Sequence, residues 1–233
     1  MYLLCYIVPK NYDRCDMKTT QLGAIPYEEF DYQTLLDAVR DYSQPRQKIT
    51  HLLAQGAIIR VKKGLYVRGD ALRRGAYSRE ILANLIYGPS YISLEYALQH
   101  YGLTPERVPV VTSVTTGRSR VFSTPVGTFS YRMIPMDAFQ TGIDRAELDD
   151  GRGYLIATPE KALADILVAD RGAAIASQKE LHTYLLEDLR VEPGALLGLD
   201  HAAVASIAVS YRSRRLKLLA DLLSGLKRRR GVE

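Results

Sequence analysis

Apolar residues along residues 43–67 change their spacing halfway, and the change predicts two kinds of element. Ile49, Leu52, Leu53 and Gly56 recur at i, i+3, i+4 and i+7, one stripe on a short helix. Ser43 stands where an N-cap belongs, Pro45 falls in the first turn, where a missing N–H costs little, and Gly56 takes the left-handed C′ position. From Ala57 to Val61 the run is β-rich; Lys62-Lys63-Gly64 then reads as a tight basic turn, and residues 65–67 return as a strand. Just upstream, residues 31–42 place Leu35, Leu36 and Val39 on the inner face of another helix, with Tyr42-Ser43 as the turn. Two short helices followed at once by a basic hairpin make the pattern of a winged helix-turn-helix.

The rest of the chain alternates helix and strand. Residues 26–30 read as a short lead-in helix, and residues 68–76 as a boundary, because Gly69 and Gly75 bracket a charged stretch. Beyond it, residues 78–87 form a helix capped by Ser78 with Ile81, Leu82, Leu85 and Ile86 inward, and a second helix runs from the cap Ser93 to Gly102. Tyr91-Ile92 is extended, strands fall at 108–116, 120–122, 128–134 and 154–157, and the cluster over 108–134 predicts an antiparallel sheet. Helices follow at 158–170, with Ala162, Leu163, Ile166 and Leu167 inside, and at 177–189, 200–210 and 212–229. The expected fold class is α+β: a winged helix-turn-helix over residues 26–74, then a mixed α/β C-terminal domain over residues 76–233 with a small antiparallel sheet and a helical, basic tail. Residues 1–25 lack periodicity and read as a weakly ordered extension, within which Met17 would make a natural start.

Turning the Ile49 helix by about 100° per residue shows which side chains remain outside. Gln47 and His51 lie opposite the apolar stripe, Gln44, Lys48, Thr50 and Gln55 flank them, and Arg46 sits at the stripe's edge. Gln, Arg, Thr and His can hydrogen-bond base edges in a major groove, and Arg60, Lys62 and Lys63 on the hairpin suit phosphates or a minor-groove approach. An ordinary solvated face gives the same pattern.

Charge placement strengthens the nucleic-acid reading. Residues 44–74 hold eight Lys/Arg against Asp70 alone, and residues 211–233 hold eight against Asp221 and Glu233, whereas the whole chain is only +5. The remainder is therefore acidic, and positive charge gathered in two places is what a polyanion-binding protein shows. The only cysteines, Cys5 and Cys15, give neither a disulfide framework nor a zinc site and fit a reducing cytoplasm. No apolar run is long enough to span a bilayer.

Several segments carry a resemblance. The run P-R-Q-K-I-T-H-L-L-A-Q-G-A-I-I-R-V-K-K-G-L-Y-V at 45–67 resembles the N-terminal winged helix of the AbiEi family, the antitoxins and transcriptional regulators of AbiE-type abortive-infection systems. The second domain is similar to the same family at Y-I-S-L-E-Y-A-L-Q-H-Y-G-L (91–103), V-T-S-V-T-T-G-R-S-R (111–120), T-P-V-G-T-F-S-Y-R (124–132) and T-P-E-K-A-L-A-D (158–165). The resemblance implies autorepression through inverted repeats of double-stranded DNA in the protein's own promoter. It also implies neutralisation of a nucleotidyltransferase-like toxin encoded alongside, without a stable complex. It carries Arg46, Lys48, Thr50, Arg60, Lys62 and Lys63 over as DNA contacts, while Gln47 and His51 rest on helix geometry. A stand-alone winged-helix regulator without a toxin is the alternative, and a nucleic-acid-processing enzyme the more distant one.

An enzyme is not expected. The chain has no G-x-x-x-x-G-K-[ST] or G-x-G-x-x-G phosphate cradle and no Glu two residues before any Lys, and Asp149-Asp150 lacks the Gly-Ser turn of a nucleotidyltransferase. His51, His100, His182 and His201 show no i, i+4 pairing, so neither metal nor cofactor is expected. Glu160 reads as part of a helix start after Pro159, and Arg118, Ser119 and Arg120 as a basic loop.

Overall fold

The computed structural model describes residues 21–231, which divide between Tyr77 and Ser78 into two compact units. The expectations for Met17, Cys5 and Cys15 fall outside the described residues.

The first unit is built on a three-stranded antiparallel sheet of β1 (Glu29–Asp31), β2 (Ile58–Lys62) and β3 (Leu65–Arg68), in the order β1-β3-β2. As the central strand, β3 is buried along its whole length, which explains why Leu65-Tyr66-Val67 reads as a continuous apolar run. The lead-in helix expected at 26–30 is in fact coil followed by β1. Phe30 lies opposite Tyr66 in the register and stacks on it at 6.4 Å, so cross-strand packing overrides the local helix preference of the two glutamates.

Helix α1 (Tyr32–Ala38) is shorter than expected. Its cap is Asp31, whose carboxylate accepts from the Thr34 N–H at 2.7 Å; that bond holds the Asp31 pKa below its ordinary value. Helix α2 (Pro45–Ala54) has Gln44, not Ser43, at its N-cap position, and no side chain caps it. Gly56 takes φ +67 and ends α2, with Ala57 N–H donating to Leu52 O and Gly56 N–H to Leu53 O, the paired bonds of a Schellman motif. The hairpin turn contracts to Lys63-Gly64, because Lys62 pairs with Leu65 and belongs to β2; the register slips between Arg60 and Lys62.

Residues 21–25, read from the sequence as weakly ordered, form a 3₁₀ turn over Gln21–Ala24 and bury Leu22 and Ile25 in the core with Phe30, Leu35, Ile49, Leu52 and Ile58. Arg68 explains the docking. It is buried, pairs with Glu28 at 3.2 Å, and donates to the Leu22 and Ile25 carbonyls at 2.9 and 2.5 Å.

The second unit holds a six-stranded sheet: β4 (Ser90–Ile92), β5 (Val111–Thr115), β6 (Arg120–Thr124), β7 (Gly127–Met133), β8 (Ile143–Glu147) and β9 (Gly153–Ala157), in the order β6-β7-β5-β4-β9-β8. It is mixed rather than antiparallel, because β5 runs parallel to β7 and β4 parallel to β9. The antiparallel sheet expected over residues 108–134 is corrected accordingly: within that stretch only β6 and β7 pair antiparallel. Helix α3 (Arg79–Ile86) packs near β4, β5 and β9; the Tyr131 hydroxyl donates to the Ala83 carbonyl at 2.6 Å. Leu85, expected inside, is half exposed, and Ala83 is buried in its place.

Tyr91 neighbours Ile92, and Ile92 lies opposite Ser113, the register partner of Tyr131. Strand alternation therefore turns Tyr91 to the face opposite α3. That face carries α4 (Leu94–His100) and α6 (Pro159–Ala169). A short α5 (Met136–Phe139), α7 (Gln178–Thr183) continued by a π-helical stretch at Tyr184–Asp188, α8 (Pro193–Gly198), α9 (His201–Tyr211) and α10 (Arg214–Arg230) complete the unit.

Candidate nucleic-acid interface

Burial of Ile49 and Leu52 fixes the rotation of α2 and leaves Gln44, Arg46, Gln47, Thr50 and His51 exposed, with Lys48 half-buried. Gln44, Gln47, Lys48 and His51 line one open hollow of about 280 Å3 with Tyr42 and Ser43. Arg46 and Thr50 stand outside it, and the Thr50 hydroxyl donates back to the Arg46 carbonyl at 3.1 Å, which occupies its proton and leaves its lone pairs outward. Arg60 and Lys63 are exposed on the hairpin; Lys62 is half-buried, and burial lowers its pKa. The hairpin follows α2 after Gln55–Ala57, and its residues do not line the hollow.

The basic cluster counted from the sequence is partly structural. Arg68 is consumed inside the core, Arg74 donates to the Gly23 carbonyl at 2.5 Å, and Arg73 pairs with Asp70 at 2.6 Å while lying over the Tyr77 ring. Arg46, Lys48, Arg60 and Lys63 form no ion pair among the described residues. The face that remains is cationic and donor-rich. Tyr42 is a residue that sequence reasoning passed over: its ring lies 4.6 Å below the Lys48 ammonium.

In the second unit, the tail also divides. The Arg215 guanidinium donates to the carbonyls of Leu167, Asp170 and Ala173, tying α10 to the end of α6. Arg228 and Arg229 are exposed. Glu160 does not cap its own helix: Thr158 does, accepting from Lys161 N–H, while Glu160 accepts from the Asp200 N–H at 3.0 Å. Ser119 in the basic loop accepts from Met133 N–H at 2.9 Å, and Arg120 lies over the Tyr87 ring.

A fully buried ion pair of the second unit was not singled out from the sequence. Lys161 and Asp165, one turn apart on α6, form an ion pair with no solvent-exposed surface. Asp165 also accepts from the hydroxyls of Ser93 at 2.6 Å and Tyr211 at 2.5 Å, and the Tyr91 hydroxyl is buried nearby without a hydrogen bond. Ser93, expected to cap α4, makes no cap bond and donates to Asp165 instead. The next residue, Leu94, takes φ +60, a conformation costly for a side chain with a Cβ. Burial pushes the Asp165 pKa up against the opposing Lys161 charge, and burial pushes Lys161 down. Through these contacts the pair joins α6, α9 and the start of α4. Two of the segments quoted above, 91–103 and 158–165, meet here.

Among the described residues no group of three His, Cys, Asp or Glu is placed to hold a metal ion, and no helix is long and apolar enough to cross a membrane. No family model matches the chain, and no curated protein matches its sequence.

Proposed function

We propose that the first unit is a winged helix-turn-helix that binds double-stranded DNA, and that the protein is a transcriptional repressor acting in the cytoplasm. The observation that carries the reading is the outer face of α2 together with the hairpin. Gln44, Arg46, Gln47, Thr50 and His51 stand outward on the helix, and Arg60 and Lys63 outward on the hairpin, with no acid pairing the cations among the described residues. Helix side chains of these types suit base edges in a major groove, and hairpin cations suit phosphates. The turn of Val39–Gln44 between α1 and α2, and the third strand β1, support the same architecture.

The second job, neutralising a nucleotidyltransferase-like toxin encoded alongside, rests on the four segments of the second unit that resemble AbiEi proteins. Co-expression with the neighbouring gene tests it: restored growth that needs residues 78–233 supports it, and unrelieved toxicity or a harmless neighbour leaves a regulator without a toxin.

The decisive experiment for DNA binding is an electrophoretic shift on the DNA upstream of the protein's own gene, beside a random fragment, across a salt titration. Arg60→Ala and Lys63→Ala each lower the slope of log K against log salt by about 0.9, the counterion released per phosphate contact, on both fragments. Gln47→Ala costs about 1–3 kcal/mol on the upstream fragment alone, the discrimination of one good base contact. Equal, weak binding to both fragments, unchanged by these substitutions, refutes the reading.

A further inference from the structure

The hollow beside α2 has a chemistry that the helix face alone does not explain. Tyr42, Ser43, Gln44, Gln47, Lys48 and His51 line it. Each of these side chains carries a hydrogen-bond donor, and none is a carboxylate. Its one permanent charge is the Lys48 ammonium, seated 4.6 Å from the centre of the Tyr42 ring. A lysine head on an exposed helix samples many rotamers, whereas one attracted to the negative face of an aromatic ring is confined to that rim. The turn that carries the ring is held by its backbone, the Tyr42 N–H donating to the Val39 carbonyl at 3.2 Å, and Tyr42 itself is 37% exposed, open to a ligand.

We infer that Tyr42 is a positioning residue that holds Lys48 over this hollow to take one backbone phosphate of a DNA duplex. The inference rests on the DNA-binding reading above and extends it to a residue in the turn before α2. A phosphate diester is anionic and accepts hydrogen bonds without donating any. The hollow answers with one cation, the Ser43 hydroxyl and the Gln44 amide, and with no acid to repel it. An ammonium serves such a ligand as a point charge, so its placement decides the contact, and Tyr42 fixes that placement. The phosphate at this site would set the register of α2 on the duplex, as backbone contacts do, while Gln47 and Arg46 read bases.

A double-mutant cycle on duplex binding, with a salt titration of each variant, tests this. Lys48→Ala lowers the slope of log K against log salt by about 0.9, as for one lost phosphate contact. Tyr42→Ala weakens binding by about two- to fivefold, the fold-change of an exposed cation–π contact. Tyr42→Phe, which keeps the ring, binds as the parent does, and Tyr42→Ala with Lys48→Ala is no weaker than Lys48→Ala alone. Parent-like binding by Tyr42→Ala, a loss in Tyr42→Phe equal to that in Tyr42→Ala, or independent multiplication of the two losses overturns the inference. Absence of duplex binding by the parent overturns the DNA reading itself. Melting curves control for folding, and if Tyr42→Ala melts early, Tyr42→Leu, which keeps bulk without a π face, takes its place with the same expected loss.

Discussion

Replacing Lys161 by Met removes one charge from a pair that water does not reach. In the parent, the Asp165 carboxylate is surrounded by the Lys161 ammonium and the hydroxyls of Ser93 and Tyr211. Met fills nearly the same volume, so the cost is electrostatic: an anion left at 0% exposure with two neutral donors. Removing one partner of a buried pair costs about 3–5 kcal/mol, a large part of the roughly 5–15 kcal/mol that holds a domain folded. The deficit depends on pH with a definite sign. Burial already pushes the Asp165 pKa up, and the Lys161 charge is the first cause opposing it; without Lys161 the folded-state pKa rises further above the unfolded value of about 3.9. A carboxyl with a raised folded pKa binds its proton more tightly in the native state, so its stability contribution is full below the unfolded value and is lost as pH rises toward the folded one, at about 1.4 kcal/mol per unit. Lys161→Met is therefore expected to lie close to the parent near pH 4 and far below it near pH 7. Urea unfolding of the full chain, followed by far-UV circular dichroism at both pH values, measures the difference. Adding Asp165→Asn, which removes the charge, keeps one acceptor oxygen for one of the two hydroxyls and offers the other an NH2 to accept from, recovers most of the neutral-pH loss. A loss below about 1 kcal/mol at neutral pH, or a loss equal at both pH values, refutes the argument that a closed ion pair joins these helices.

Two substitutions probe the scaffold of the first unit. Gly69→Ala places a Cβ 1.7 Å from the Gly56 carbonyl oxygen, which is backbone and closes the C-terminus of α2. Overpacking of this kind costs about 1–3 kcal/mol, and because α2 must shift, duplex affinity falls with the melting temperature; a parent-like melt shows that the two segments separate without cost. Arg68→Ala strands the buried Glu28 carboxylate and the carbonyls of Leu22 and Ile25. The expected loss is about 3–5 kcal/mol in urea unfolding, and Glu28→Gln in the same chain recovers part of it, because the uncompensated charge is gone.

How much of this fold the sequence discloses depends on how local its causes are. The α2 helix was legible because Pro45, the Ile49 stripe and Gly56 all fall within the single stretch 45–56, and Gly56 does take the left-handed conformation its position requires. The hairpin was legible for the same reason, apart from Lys62, which a slipped register draws into the strand. Strand β1 was not, because Glu29-Phe30-Asp31 becomes extended only by pairing with Val67, Tyr66 and Leu65, more than thirty positions away. Strand β8, Ile-Asp-Arg-Ala-Glu, was missed because an edge strand with three charges lacks the alternation that marks a half-buried one. The parallel pairing of β5 with β7 was equally hidden, since β6 separates them in sequence while in space β7 lies between β6 and β5.

The candidate sites obey the same rule with a different consequence. Helix periodicity gave the outward face of α2 without error for Gln47 and His51, because which side of a helix is wet follows from which side is apolar. Charge counting did less well. Of the eight cations at 44–74, Arg68 is a core residue, and Arg73 and Arg74 are tied to Asp70 and the Gly23 carbonyl; near the C-terminus, Arg215 serves three carbonyls. A guanidinium has five donors and is drawn to buried carbonyl clusters as readily as to phosphate, so net charge along a segment overstates the charge a ligand meets. Lys161 makes the converse point: a lysine in a helix reads as solvated, yet here its partner one turn later allows full burial. Within 44–74 the available charge narrows to Arg46, Lys48, Arg60 and Lys63, with Lys62 half-withdrawn. The wing variants should therefore rank with Arg60→Ala and Lys63→Ala ahead of Lys62→Ala in salt dependence, an order that the structure supplies and the composition does not.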